Sequence, residues 1–301
     1  MLFPMLASLT HPFLLMSHSS TPLRFGVIGN PIAHSRSPAI HAQFAQQAGL
    51  SLSYERILAP LDDFTTCCMD FFQQQGGKGL NVTVPFKEQA YQLAAHNLSP
   101  RARHAAAVNT LWQDEHGAIH GCNTDGIGLC TDLIRLGHAP EGKKILLIGA
   151  GGAARGVLFP LLEQGCQQVH IINRTRSRAA ALHTNLAEHA PEYSHRVSTG
   201  GLEDHAGDWD IVINASSSSM SAQAPDLPLV RFTAQALAYD MYYADRPTAF
   251  MLSCSAAPHR SDGLGMLVAQ AAASFEIWNG YKPNIVPVLE HLRAQLAAEH
   301  R

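Results

Sequence analysis

KKILLIGAGGAARGVLFPLL, residues 143–162, reads as a strand, a glycine turn and a helix, and VHIINRTRSRAA, residues 169–180, adds a second strand with arginines at its tip. The apolar run at 144–148 suits a parallel strand covered on both faces. Gly149, Gly151 and Gly152 let the backbone turn sharply and approach a pyrophosphate at the next helix N-terminus. An NAD-selective site usually carries Asp or Glu at the tip of the second strand, but here the tip is Asn173-Arg174-Thr175. A guanidinium pairs well with a 2′-phosphate and poorly with a bare hydroxyl, at about 1.5–3 kcal/mol per charge-assisted contact. These residues therefore predict NADP(H) over NAD(H). A plain helix entry with a solvated basic face is the alternative; the preceding strand and the spacing of the arginines weigh against it. Pro160 lies inside the expected helix and predicts a kink in it.

The chain has 301 residues, enough for two domains of ordinary size, and its 46% apolar and 15% charged content is that of a well-buried globular protein. A net charge of −3, with no basic stripe beyond NRTRSR, argues against an extended nucleic-acid partner and leaves a small anionic substrate open. The six cysteines (Cys67, Cys68, Cys122, Cys130, Cys166, Cys254) show no CxxC spacing, which fits reduced thiols in the cytosol. The 17 histidines form no zinc-ligand pattern, so no metal is expected. The opening MLFPMLASLTHPFLLM is interrupted by Pro4 and Pro12 and is shorter than the roughly 20 residues of a membrane span. It lacks the basic start and cleavage site of a secretory signal. Residues 1–23 are therefore expected to be a disordered extension, with translation beginning at Met16.

After that extension, strand-like runs and helical patterns alternate: LRFGVIG, SPAIHAQFAQQAGL, SYERILA, PLDDFTTCCMDFFQQQ, KGLNVTV and PFKEQAYQLAA. AVNTLWQ and AIHGCN flank the turn DEHG, and TDGIGLCTDLIRLG reads as a helix leading to the glycine turn. The fold class is α/β, with a boundary near residues 122–125. Further strand–helix pieces follow (DIVINAS, ALAYDMYY, PTAFMLSC), then the loop SAAPHRSDGLG and two last helices. The pattern leaves open which domain those helices join.

Several residues can carry chemistry, each beside a plainer role. In NVTVPFK, alternation puts Asn81 and Thr83 on one strand face, Pro85 stops the ladder and Lys87 enters the next helix. A solvated lysine is the plain reading, although the helix dipole slightly disfavours a cation there. Asp125 in GCNTDG stands where a strand meets a helix, the place of an ordinary N-cap. In GNPIAHSRSP, Ser35 and Ser37 can present hydroxyls to one side, while Ser37-Pro38 also reads as N-cap and N1 proline. Asn109 ends a strand, Tyr243 closes DMYY, and Gln270 in an apolar helix needs a hydrogen-bond partner.

Taken in order, GNPIAHSRSP, GGKGLNVTVPFKE, AVNT, GCNTDG, GAGGAAR, NRTRSR, YDMYY and DGLGMLVAQAA resemble the shikimate dehydrogenase family from about Arg24 onward. The resemblance implies an N-terminal α/β substrate domain (24–124) completed by the C-terminal helices (264–301), with a Rossmann-type NADP-binding domain (125–263) between them. It implies Lys87 as the catalytic lysine with Asp125 as partner. Ser35 and Ser37 would hold the substrate carboxylate region, and Thr83, Asn109, Asp125, Tyr243 and Gln270 would contact the acid or its ring hydroxyls, with Asn81 a weaker candidate. The turn Gly149, Ala150, Gly151, Gly152, Ala153 and Ala154 would take the pyrophosphate. Asn173, Arg174, Thr175 and Arg178 would surround the adenosine phosphate, and Met241 and Gly263 would lie near the nicotinamide. The chain departs from the family where NATSSG becomes NASSSSM at 214–220 and where Ser99 replaces a common acid.

The implied reaction is reversible reduction of 3-dehydroshikimate to shikimate with NADPH, by a monomer or homodimer with a small-molecule substrate and no membrane partner. Three readings compete. An NAD-using quinate/shikimate dehydrogenase would place an acid near Asn173; a dehydrogenase acting on methylene-tetrahydrofolate would lack the HSRSP and NVTVPFK pair; a silent NADP(H)-binding sensor would not need both Lys87 and Asp125.

Overall fold

The computed structural model describes residues 22–299. The expectation for residues 1–23 lies outside them, save that Leu23 already opens the first strand. Two sheets divide the molecule. The first contains β1 (Leu23–Gly29), β2 (Leu52–Leu58), β3 (Gly77–Val82), β4 (Thr110–Gln113) and β5 (Ile119–Cys122), in the order β2-β1-β3-β4-β5. Its first three strands are parallel and β4 and β5 are antiparallel. Helices α1 (Ser37–Ala48), α2 (Phe64–Gln73), α3 (Lys87–Leu93) and α4 (Pro100–Ala105) connect them. Interior β1 and β3 are almost continuously buried, whereas β2, at the edge, has no fully buried residue. In the DEHG turn, Asp114 Oδ1 accepts from the N–H groups of His116 and Ala118, closing the β4–β5 hairpin as expected.

Helix α5 (Asp125–Arg135) leads to the second sheet: β6 (Lys144–Ile148), β7 (Gln168–Ile172), β8 (Val197–Gly200), β9 (Gly207–Asn214), β10 (Val230–Asp240) and β11 (His259–Ser261). Its order is β11-β10-β9-β6-β7-β8, every pair parallel. Strands β7 and β9 flank β6, so the strand order reverses there and a crevice opens at the carboxyl ends of β6 and β9. Helices α6 (Gly152–Glu163), α7 (Arg176–His189) and α8 (Ala249–Ser253) belong to this half, and α6 continues through Pro160. Residues 247–254, read as a strand–helix piece, supply only α8; the edge strand is His259–Ser261, within the stretch read as loop. A three-residue edge strand of polar residues leaves no alternating apolar signal.

The last two helices, α9 (Leu264–Asn279) and α10 (Ile285–Ala298), pack with α1 through Ile40, Phe44, Val268, Phe275, Val288 and Leu292. Burying each of those side chains contributes about 1.5–3 kcal/mol. Trp278 of α9 stacks on Phe25 of β1 with centroids 5.0 Å apart and donates to the Leu111 carbonyl at 3.1 Å. The final helices thus lie on the first sheet, while α9 also packs closely along α5. This arrangement brings residues from both ends of the chain to one place.

Candidate active site

Lys87 is the first residue of α3, placed there by the turn at Pro85. Its Nζ lies 2.6 Å from Asp125 Oδ2, with the lysine side chain 30% and the aspartate 10% exposed. The cation's unfavourable place at a helix start costs roughly 0.3–1 kcal/mol, and a short, largely desolvated ion pair offsets it. Asp125 does not act as a cap. It is the first residue of α5, Thr124 takes the cap position without a side-chain cap bond, and Asn123 Oδ1 accepts from the Asp125 N–H at 3.0 Å. The carboxylate is thereby left to Lys87 on one oxygen and to Asn109 Nδ2, at 2.8 Å, on the other.

The amide of Asn109 has one permitted orientation. The Thr124 backbone N–H can only donate, and it lies 2.8 Å from Asn109 Oδ1, so the amide nitrogen must face Asp125. Gln270 reaches the same group from α9, its Oε1 3.4 Å from Asn109 Nδ2 and its own amide nitrogen donating to the Leu267 carbonyl at 2.9 Å. Around these residues lies a buried layer absent from the sequence reading: Thr110, Thr124 and Ser274, all fully buried, with Tyr54 beyond Asn81. Ser274 stands one helical turn after Gln270, a spacing that places both on one face and could have signalled it. Tyr54 carries no local signal, because its partner Asn81 is 27 residues away.

Ser35 and Ser37 stand together, Oγ to Oγ 3.2 Å, and Arg56 Nη2 holds the Ser35 carbonyl at 2.6 Å. Ser37 is the first helical residue of α1, so the cap position falls on Arg36 and the capping role read for Ser37 is not formed. The chain enters α1 through the Pro38 backbone instead, which needs no side-chain cap. Thr83 is half-buried just beyond β3, its N–H donating to the Ile28 carbonyl at 3.0 Å. Tyr243 packs against the core of α1, α9 and α10, where burial pushes its phenol up from the ordinary value despite the nearby Arg36.

In the second half, Gly149 has φ +109° and donates to the Ile172 carbonyl at 2.8 Å, a conformation open mainly to glycine. Ala150 and Ala154 are buried beneath the turn with Ala153 packed against the same core, while added side chains at Gly151 and Gly152 would meet nothing. A backbone cradle at the start of α6 is therefore open to phosphate oxygens. At the tip of β7, Asn173 Nδ2 donates to the Thr175 carbonyl at 2.9 Å. Arg176 is engaged by Glu203 and Asp204, while Arg174 and Arg178 are exposed and have no ion-pair partner among the described residues. Those two guanidiniums and the cradle fit a dinucleotide carrying an extra phosphate. Met241 N–H donates to the Asn214 carbonyl and Gly263 N–H to the Tyr242 carbonyl, both at 3.0 Å, which ties both residues to the end of β10.

The two departures from the family pattern have structural roles. Ser216 keeps a hydroxyl bond to Asn214 Oδ1 at 2.6 Å, and Asn214 and Ser219 both donate to the buried Asp240. Ser99 caps α4, accepting from the Ala102 N–H at 3.2 Å.

Comparison with known proteins identifies the family. Residues 27–111 match the model of the shikimate dehydrogenase substrate binding domain, 135–224 that of shikimate/quinate 5-dehydrogenase, and 263–293 that of the shikimate 5′-dehydrogenase C-terminal domain. The chain belongs to the shikimate dehydrogenase family. It is 54% identical to a shikimate dehydrogenase (NADP(+)) of Bordetella petrii over 94% of this chain and 100% of that one. It is 49% identical to one of Cupriavidus necator over 95% and 98%. Among solved structures, the shikimate 5-dehydrogenase of Thermus thermophilus in complex with NADP(H) and shikimate superposes with TM-score 0.78 at 34% identity, covering 90% of this chain and 99% of that one. The fold is accordingly an N-terminal α/β unit with the C-terminal helices and a Rossmann-type parallel sheet.

Proposed function

We propose that the chain catalyses the reversible NADPH-dependent reduction of 3-dehydroshikimate to shikimate. The observation that carries this is the Lys87–Asp125 pair at 2.6 Å, with Asp125 also held by an amide whose orientation the backbone fixes. Residues 24–124 with 264–301 form the substrate unit and 125–263 the cofactor unit, a division supported by membership of the two sheets. NADP(H), when bound, supplies or accepts the hydride. Asn173, Arg174, Thr175 and Arg178 hold its 2′-phosphate, residues 149–154 its pyrophosphate, and Met241 and Gly263 flank the nicotinamide. Ser35 and Ser37 hold the acid's carboxylate, while Thr83, Asn109, Tyr243 and Gln270 orient its ring.

Reduction of the ketone builds negative charge on its oxygen. Lys87 donates a proton to that oxygen and in the reverse direction accepts one from the hydroxyl. Asp125 keeps the ammonium group aimed, and Asn109 keeps the carboxylate aimed. Six free cysteines fit a reducing cytoplasmic setting.

The test is spectrophotometric: shikimate with NADP+ should yield NADPH, with kcat/KM for NADP+ well above that for NAD+ and for shikimate above that for quinate. Cofactor binding without turnover would replace this reading by that of a sensor. Equal use of NAD+ and quinate would replace it by a quinate/shikimate enzyme.

A further inference from the structure

A row of hydrogen bonds leads from Tyr54 to the carboxylate of the Lys87–Asp125 pair. Tyr54 donates to Asn81 Oδ1 at 2.7 Å. The Asn81 amide nitrogen also meets the Asn109 carbonyl at 3.2 Å, an acceptor only, which fixes that amide as surely as Thr124 fixes the amide of Asn109. Asn81 Nδ2 donates to Ser274 Oγ at 2.9 Å. Thr110 Oγ1 lies 2.8 Å from Asn109 Oδ1 and 2.8 Å from Ser274 Oγ, and either hydroxyl can donate in the second contact. Ser274 Oγ also lies 3.1 Å from the Gln270 carbonyl and 3.3 Å from Thr124 Oγ1. Asn109 then donates to Asp125 Oδ1, while Lys87 donates to Asp125 Oδ2 from the other side.

We propose that Tyr54, Thr110 and Ser274 are positioning residues for the reaction: a continuous network of hydrogen bonds, drawn from β2, β4 and α9, that ends on the Asp125 carboxylate. In a dry interior, linked hydrogen bonds polarise one another, so the network holds the Asn109 amide on the carboxylate more firmly than an isolated amide would be held. Asn81, Asn109, Thr110 and Ser274 are all at most 6% exposed. The network also joins elements about 190 residues apart in sequence, Asn81 to Ser274, and so ties the C-terminal helix to the orientation of Asp125. The proposal rests on the assignment of Lys87 and Asp125 to the reaction.

The experiment measures shikimate oxidation by the full chain for Ser274→Ala, Tyr54→Phe and the double variant, beside Thr110→Val and Thr110→Ser. Alanine is a good helix residue, and phenylalanine keeps the Tyr54 ring on which His41 stacks. Each variant that loses a hydroxyl should lower kcat about three- to tenfold with KM for NADP+ within about twofold. Thr110→Ser should keep most of the rate that Thr110→Val loses. Because the network acts as one unit, the double variant should be no more than about twofold slower than Ser274→Ala. Wild-type kcat in Ser274→Ala and Tyr54→Phe, or losses that multiply in the double variant, overturns the proposal. Near-normal turnover in Lys87→Ala would instead overturn the assignment on which it rests, so the two failures are distinct.

Discussion

A methyl group added to Gly128 would stand 2.7 Å from the Cβ of Gln270 and 2.7 Å from the Met266 carbonyl oxygen. This close approach of α5 to α9 holds Gln270 beside Asn109, and Asp125 lies one turn earlier on the same helix.

Gly128→Ala should therefore wedge the two helices apart. Overpacking of this kind costs about 1–3 kcal/mol, against a helix-propensity gain of about 1 kcal/mol for Ala over Gly. The midpoint of thermal unfolding should fall by a few degrees and kcat/KM for shikimate by about tenfold. Unchanged values of both would show that the contact relaxes without consequence.

Lys87→Ala removes the proposed proton donor while leaving the glycine turn before α6 intact. The expected loss in kcat is about 10²–10⁴, with a smaller change in KM, as for a group acting in the transition state. Steady-state rates in both directions check it, and turnover near the wild-type rate would remove Lys87 from the chemistry.

Arg174 is exposed and unengaged by any acid among the described residues, whereas Arg176 is held by Glu203 and Asp204. Arg174→Ala should raise KM for NADP+ by about 10- to 100-fold, the equivalent of one charge-assisted contact. KM for NAD+ should change little, since NAD+ lacks the phosphate. A parallel rise for both cofactors would point to general damage to the site.

His41 gives the folded protein an acid-sensitive element. Burial pushes its imidazole down to about 3, and its Nε2 has no hydrogen-bond partner. Its unfolded value is near 6.5, so the unfolded chain takes up this proton first as the medium acidifies. The contribution to stability is full above about pH 6.5 and is lost as pH falls toward 3, at up to about 1.4 kcal/mol per unit. Between pH 7 and pH 5, urea unfolding of the wild type should lose about 2 kcal/mol more than His41→Phe does. Equal losses would show that another group sets the acid limb.

The glycine turn, the strand before it and the arginines after it were legible because each is a local requirement on consecutive residues. Gly149 needs a positive φ, and Arg174 needs only to stand at a strand tip. Asp125 was harder to read, since a residue entering a helix has the same local appearance whether it caps the backbone or meets a distant lysine. The edge strand His259–Ser261 and the capping of α1 were misread for a related reason: both are short, and their context rather than their composition settles them.

By itself the sequence determined the α/β class, the dinucleotide turn, the preference for an extra phosphate and the residue types able to move a proton, because period, turn chemistry and charge act over a few neighbouring positions. Only the tertiary structure decided that Asp125 faces Lys87, that Arg176 is spent on Glu203 and Asp204, and that Tyr54 and Ser274 stand behind the Lys87–Asp125 pair. Those relations depend on direction and distance between groups 27 to 193 residues apart, and such contacts leave no imprint on the residues next to either partner.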